Sequence, residues 1–202
     1  GAEIYQRGSW GGEDADRGFG GEYAAICPLL PTDMESTAAH VTWNDKPIPN
    51  NSCTFVEIAG VHRRYHVPLS RTIWLGEPPR DVSFAEEVVL EGIEAGISKA
   101  VAGNTTGDVA SAFYDVLAKH GVKREGRCGY PIGLSYPPDW GERTYSIRPN
   151  DETVLQPNMT FHFMPALWMD KWGLEITETL RIRETGVAEP LADVPRKLFV
   201  KA

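Results

Sequence analysis

Glu57 is the residue with the most chemistry to offer in this chain. It lies inside Cys53-Thr-Phe-Val-Glu-Ile-Ala59, a run of β-branched and aromatic residues patterned as a strand. Side chains alternate across a strand, so Phe55, Glu57 and Ala59 share one face while Val56 and Ile58 fill the other. A carboxylate between Val56 and Ile58 on a core strand is expensive unless something satisfies it. Buried carboxylates take raised pKa values and serve as acid, base or nucleophile. The structural alternative is an ion pair, for example with Arg63 or Arg71. A second cluster begins at Gly129 and runs Gly-Tyr-Pro-Ile-Gly-Leu-Ser-Tyr-Pro-Pro-Asp-Trp-Gly-Glu-Arg. It is too rich in Gly and Pro for regular structure, yet it is loaded with Tyr, Trp, Glu and Arg. It reads either as a pocket-lining loop or as a rigid aromatic turn. Further along, His162 and Met164 share a face of a strand over 159–165. In the next strand Glu175 and Thr177 share one face, with Ile176 and Glu178 on the other.

The elements that must position these groups follow from periodicity. Strands over 53–59 and 69–75 form an antiparallel hairpin, and the segment 60–68 between them carries His62, Arg63, Arg64 and His66. A helix spans 83–103, opened by a Ser83/Glu86 capping box and closed by Gly103, with Ala85, Val89, Ile93, Ile97 and Ala100 at helical spacing. A second helix spans 106–120, with Val109, Phe113, Val116, Leu117 and His120 on one face and Gly121 just past its end. The short Asn-Thr-Thr link makes the two an αα-hairpin. Strands over 159–165, 174–183 and 197–200 complete an α+β fold: a mainly antiparallel sheet covered by helices on one face. Residues 1–22 read as the tail of a helix and a loop, and 23–51 as Pro-dotted extended chain.

Composition narrows the partners. The 202 residues carry 28 Asp and Glu against 20 Lys and Arg, a net charge of −8, which argues against a nucleic-acid surface. No apolar run approaches the ~20 residues of a membrane helix, and no basic segment precedes an apolar one as in a secretory signal. The balance suits a cytoplasmic protein handling small molecules. Cys27, Cys53 and Cys128 contain no CxxC, so neither a disulfide scaffold nor a Cys-based zinc site is expected.

Taken in order, the motifs resemble the pita-bread superfamily of methionine aminopeptidase, prolidase and creatinase, and within it the ectoine hydrolases. The likeness rests on Glu57-Ile-Ala-Gly-Val-His-Arg-Arg-Tyr-His-Val-Pro-Leu-Ser-Arg-Thr72, Gly129-Tyr-Pro-Ile-Gly through Glu142-Arg-Thr144, Phe161-His-Phe-Met-Pro165 and Ala192-Asp-Val-Pro-Arg-Lys-Leu-Phe199. The metallopeptidases of that superfamily hold two metal ions with Asp, a second Asp eleven residues on, His, Glu and Glu. Here the matching positions are Glu57, Pro68, Tyr130, Met164 and Thr177, and the second loop His falls on Pro137. Proline and methionine cannot supply hard oxygen ligands. The resemblance therefore implies a metal-independent enzyme with no cofactor.

It implies more about the site. An ectoine hydrolase opens a cyclic amidine to N-acetyl-diaminobutyrate. Glu57 would be nucleophile or general base, Glu175 or Glu142 the second carboxylate, and His162 and His40 proton shuttles, His40 lying seventeen residues before Glu57. Tyr130 would donate a hydrogen bond where the peptidases place a ligand His. The zwitterionic substrate would take its cation from Arg63, Arg64, Arg71 or Arg143, with Arg71 at a position usually structural in the family. Trp140, Trp168, Trp172 and Tyr136 would pack against its flat ring. His62, His66 and His120 read as structural or exposed. The likeness further implies that 1–22 is a residual helix end and loop, with 1–7 the end of the second helix of a missing pair, and that 23–202 is an incomplete catalytic domain. The missing helix pair would leave apolar surface exposed, the N-terminal domain would be absent, and the whole protein would be a homodimer. The alternatives are a creatinase-like guanidine or amidine hydrolase and an inactive pita-bread module that binds peptides or other partners.

Overall fold

The structure, a computed structural model, describes residues 28–41, 44–135 and 140–202. Its longest elements are two antiparallel strands of 11 residues each, β1 (Ser52–His62) and β2 (Tyr65–Leu75), paired in register from Ser52–Leu75 to His62–Tyr65. The turn between them is Arg63-Arg64 alone, both with positive φ (48° and 70°). The hairpin thus closes in two residues, the loop length whose backbone twist matches that of the strands, and the segment expected as a connection is strand.

Burial along β1 alternates, with Cys53, Phe55, Glu57, Ala59 and Val61 buried and Thr54, Val56 and Ile58 partly exposed. The face that carries Glu57 is therefore the core face, and Val56 and Ile58 point away from it, opposite to the expected packing. The reason is tertiary: the inner face is covered by later strands. On the outer face Val56 and Ile73 line an open cleft of about 510 Å³ with Leu30 and Ile48.

Two helices follow, α1 (Arg80–Lys99) and α2 (Thr106–Lys119). The helix starting signal at Ser83 was misplaced. Pro79 is the N-cap, Ser83 is already in the first turn, and the Glu86 carboxylate instead accepts the Leu198 N–H at 2.7 Å. The capping box belongs to α2, where Thr105 and Asp108 satisfy each other's backbone N–H. Val82, Ala85, Val89, Ile93 and Ile97 of α1 and Val109, Phe113 and Leu117 of α2 enter one core with Phe161, Phe163, Leu174 and Leu180. Gly92 and Gly96 of α1 allow this approach. A Cβ at Gly92 would lie 2.6 Å from the Phe113 ring, and one at Gly96 would overlap Phe163.

The remaining strands are short: β3 (Gly129–Pro131), β4 (Thr160–Phe163), β5 (Ala166–Trp168), β6 (Gly173–Glu175), β7 (Glu178–Arg181), β8 (Glu189–Pro190) and β9 (Phe199–Lys201). They form sheets ordered β1-β2-β9, β3-β4-β7-β8 and β5-β6, antiparallel except for β2 with β9. The single strand expected over 174–183 is broken at Ile176 and Thr177. There the chain turns onto β2: Ile176 bridges Arg71, and the Thr177 hydroxyl accepts the Ser70 N–H at 2.7 Å. That break sends Glu175 and Glu178 to different partners.

Candidate active site

Four elements deliver the site. Glu57 comes from β1, Tyr130 from β3, His162 from β4 and Glu175 from β6, and Trp140 closes one side from the loop after β3. Tyr130 and Trp140 pack with Ala59, Val61, Ile132 and Met164 into a small apolar wall separate from the main core. His162 stands edge-on to both rings, with centroids at 5.2 Å from Tyr130 and 6.2 Å from Trp140. His162 and Met164 therefore do face the same wall.

The hydrogen bonds suit one set of proton positions. The Trp140 indole N–H donates to Tyr130 Oη (3.3 Å), and we assign the Tyr130 O–H as the donor to His162 Nδ1 (2.9 Å). His162 then carries its proton on Nε2. Burial, with the Arg127 charge, pushes the His162 pKa down to about 3, so the ring is neutral. Burial, with the charges of Glu57 and Glu142, holds the Tyr130 phenol well above its usual range.

Glu57 is 4% exposed, and its Oε1 lies 3.8 Å from His162 Nδ1. Burial pushes its pKa well above the carboxylate range, and the like charges of Glu175 and Glu142 add to the rise. Arg71, offered by the ion-pair reading, binds elsewhere: its guanidinium pairs with Glu178 at 2.5 Å and donates to the carbonyls of Thr177, Val194 and Pro195. Arg196 adds a second cation to Glu178 (3.1 Å). Arg71 and Glu178 thus bind each other and tie β2 to the backbone at Thr177, Val194 and Pro195.

Glu175 is 1% exposed and accepts the Trp168 indole N–H at 3.1 Å. Burial raises it to about 7, against the Ser70 hydroxyl, the Trp168 donor and the Arg124 charge. The Ser70 hydroxyl lies near enough to lower Glu175 without closing a well-formed bond. Ser70 Oγ, Glu175 Oε2 and His162 Nε2 are buried with no hydrogen-bond partner among the described residues. Orphaned polar atoms around one set of acids mark a place for a polar ligand.

The other expected residues separate. Glu142 is partly buried and pairs with Arg127. Trp168 is in the site through Glu175. Trp172 is not brought in: its indole donates to Asp81 at the start of α1 (3.0 Å), beside Leu167 and Phe84. His40 and Arg143 are exposed, and Arg64 sits on the two-residue turn, its carbonyl accepting the Ser135 N–H. Tyr136 and Pro137 lie outside the described residues, as do 1–22. His66 is buried against the Gly133 carbonyl, His120 binds Glu91, and His62 is exposed. The sequence reading missed Arg124 and Arg127. Arg124 stacks on Trp168 (5.2 Å) and donates to the Arg127 and Met164 carbonyls. The signal was the Arg-x-x-Arg spacing just ahead of Gly129, where the loop cluster had been taken to begin.

The donor set does not suit a pair of divalent metals. Of the five superfamily positions, Glu57 alone is a carboxylate. The Thr177 hydroxyl is occupied by the Ser70 N–H, Tyr130 is bonded to His162 and Trp140, and Pro68 and Met164 offer no side-chain oxygen. Among the described residues no group of three His, Cys, Asp or Glu is placed to hold a metal ion.

Comparison with known proteins gives this site its context. Over 202 residues the chain is 55% identical to a protein of Halomonas elongata named ectoine hydrolase, covering 99% of this chain and 50% of that protein. Among solved structures, the X-Pro aminopeptidase of Thermotoga maritima superposes with a TM-score of 0.81 at 24% identity, over 99% of this chain and 58% of that one. The dipeptidase PepE of Mycobacterium ulcerans gives 0.80 at 24%, over 88% and 47%. These likenesses show the pita-bread α+β fold expected from the sequence. The chain spans about half the length of the curated relatives it matches. The model of metallopeptidase family M24 matches residues 5–184, and the chain belongs to that family.

Proposed function

We propose that this chain carries the catalytic site of a hydrolase that opens the cyclic amidine ring of ectoine to N-acetyl-L-2,4-diaminobutyrate in ectoine catabolism, using side chains in place of a metal. One observation carries the reading: Glu57 is buried facing two other acids, Glu175 and Glu142, beside a neutral His162 and a Tyr130 hydroxyl. Glu142 is already paired with Arg127, and a cation placed against the proton-sharing Glu57–Glu175 pair would stabilise its ionised form. An amidinium supplies that cation, and its central carbon is already electrophilic. The 55% identity to a relative named ectoine hydrolase supports the choice of ring.

The mechanism follows from the protonation states. At neutral pH the Glu57–Glu175 pair holds a proton between two raised acids. An amidinium against Glu57 stabilises its ionised form and leaves the proton on Glu175. Glu57 attacks the amidinium carbon, or takes a proton from the water that does. The C–N bond breaks as the ring nitrogen accepts the Glu175 proton. In the water route the oxygen stays as the acetamide carbonyl and the second water proton ends on the released amine. In the covalent route ring opening leaves an imidate ester on Glu57. Water adds to it with one proton returning to Glu175, and the Glu57 oxygen–carbon bond breaks to leave the acetamide, the second water proton again ending on the amine. The unpartnered His162 Nε2–H is a donor for the oxygen that develops charge. The setting we infer is a cytoplasmic homodimer. No helix of the described residues is long and apolar enough to cross a membrane.

The test is direct. The full chain, with whatever its gene encodes on either side, is incubated with ectoine and the acetylated product is followed by mass spectrometry. Steady product formation is expected. Turnover of creatine but not ectoine would move the assignment to the guanidine hydrolases, and turnover of neither would leave a binding module.

A further inference from the structure

The site already contains a cation engaged with a carboxylate, and neither the fold family nor the sequence motifs assign it. Arg127 lies two residues before β3. Its guanidinium carbon is 4.4 Å from the Tyr130 ring centroid, on the ring whose hydroxyl binds His162. Its carboxylate partner is Glu142, from the loop that also supplies Trp140. The pair is only partly covered, the side chains being 30% and 21% exposed, so it stands at the rim of a cluster that is itself buried. The charges reach inward: Arg127 acts on His162 and Tyr130, and Glu142 acts on Glu57 and Tyr130. Arg124, by contrast, donates through its two terminal nitrogens to Tyr114 and two backbone carbonyls, keeps a buried Nε with no partner among the described residues, and acts on Glu175 rather than at the Glu142 rim.

We propose that Arg127 is the anchor for the substrate's carboxylate and that Glu142 is a stand-in occupying that anchor until a zwitterion exchanges with it. The inference rests on the reading of the substrate as a cyclic amidine bearing a carboxylate. In ectoine the amidine carbon and the carboxylate carbon are three bonds apart, and Tyr130 is touched by Arg127 on its face and neighbours Glu57 at its hydroxyl end. One ion pair is broken and two are made: Arg127 with the substrate carboxylate, and Glu142, together with Glu57, with the amidinium. The planar fork of Arg fits either carboxylate bidentately. Selectivity follows from the same exchange. A cation without a carboxylate leaves the Arg127–Glu142 pair closed and gains one partner, and a carboxylate without a cation must displace Glu142 and leave it unpaired.

The experiment has two readouts. Calorimetry with acetate reads the anchor independently of turnover. Glu142→Gln is expected to bind acetate roughly 10-fold or more tighter than the unsubstituted protein, and the double variant with Arg127→Gln to lose that gain. Kinetics reads its use. In Arg127→Gln the ratio of kcat/KM for ectoine over the same ring lacking its carboxylate is expected to fall about 10- to 100-fold, mostly through KM, and Arg127→Lys to fall between. Equal acetate affinity in Glu142→Gln and the unsubstituted protein would overturn the proposal, as would an unchanged substrate ratio in a folded Arg127→Gln. Failure of the unsubstituted protein to open either ring would overturn the ectoine reading instead, and the acetate comparison would still decide the anchor.

Discussion

At the scale of the residue, the proposed chemistry turns on one proton shared by two buried acids, Glu57 and Glu175. Glu57→Gln keeps the shape and removes the proposed nucleophile or base, and kcat is expected to fall by about 10³ or more in single-turnover assays. Glu175 supplies a second, thermodynamic test. Its pKa is raised from 4.5 to about 7 by burial, so the folded state binds its proton more tightly than the unfolded chain. The stability this contributes is full below about pH 4.5 and is lost as pH rises through about 7. His162 has the opposite sign: lowered from 6.5 to about 3, it favours the folded state above about pH 6.5 and opposes it as pH falls toward 3. Glu175→Gln removes the first dependence, together with the Glu175 contribution to the rise at Glu57, and leaves His162 in place. The melting temperature of that variant relative to the unsubstituted protein is therefore expected to climb between pH 5 and pH 8, and a flat difference would show that Glu175 is not a buried acid. Glu57 was legible as an anomaly in an apolar strand, since β-alternation requires it to share a face with Phe55. Which face was the core was not legible, because strands distant in sequence cover it. Arg127 is harder to read: the Arg-x-x-Arg spacing marks it only weakly until Tyr130 and Glu142 are seen against it.

At the scale of the element, what matters is how the short strands are stitched to the long hairpin. The hairpin and both helices could be read from local pattern, and the α2 cap and Gly121 obey ordinary rules. The break at Ile176 and Thr177 has no local signal, since Leu174 to Ile182 alternates as a continuous strand would. It exists because Ser70 and Arg71 of β2 capture the backbone there. Arg71 is central to this joint, ion-paired with buried Glu178 and bonded to Thr177 O. Arg71→Met leaves Glu178 with Arg196 as its remaining cation partner and removes the ties to Thr177, Val194 and Pro195. A loss of about 3 kcal/mol in urea unfolding is expected. If Arg71 were a substrate anchor instead, its substitution would raise KM with little loss of stability.

At the scale of the molecule, a chain of metallopeptidase family M24 carries Glu57, Pro68, Tyr130, Met164 and Thr177 where the resemblance places that superfamily's metal ligands. The fold places side chains from several strands around one point, and in the proposed function acids, a neutral imidazole and a phenol act there in place of a metal. The acidic balance of −8 adds a general attraction for cations. The superfamily pattern could be recognised in sequence because its long motifs survive even where the ligands do not. The meeting of Glu57 with Glu175, and of Glu142 with Arg127, needed the structure. Chelation tests the use of side chains in place of a metal most directly. After exhaustive treatment with EDTA and removal of the chelator, the initial rate of ectoine opening is expected to match that of untreated protein and to gain nothing from added manganese or zinc. A rate abolished by chelation and restored by either metal would contradict the account.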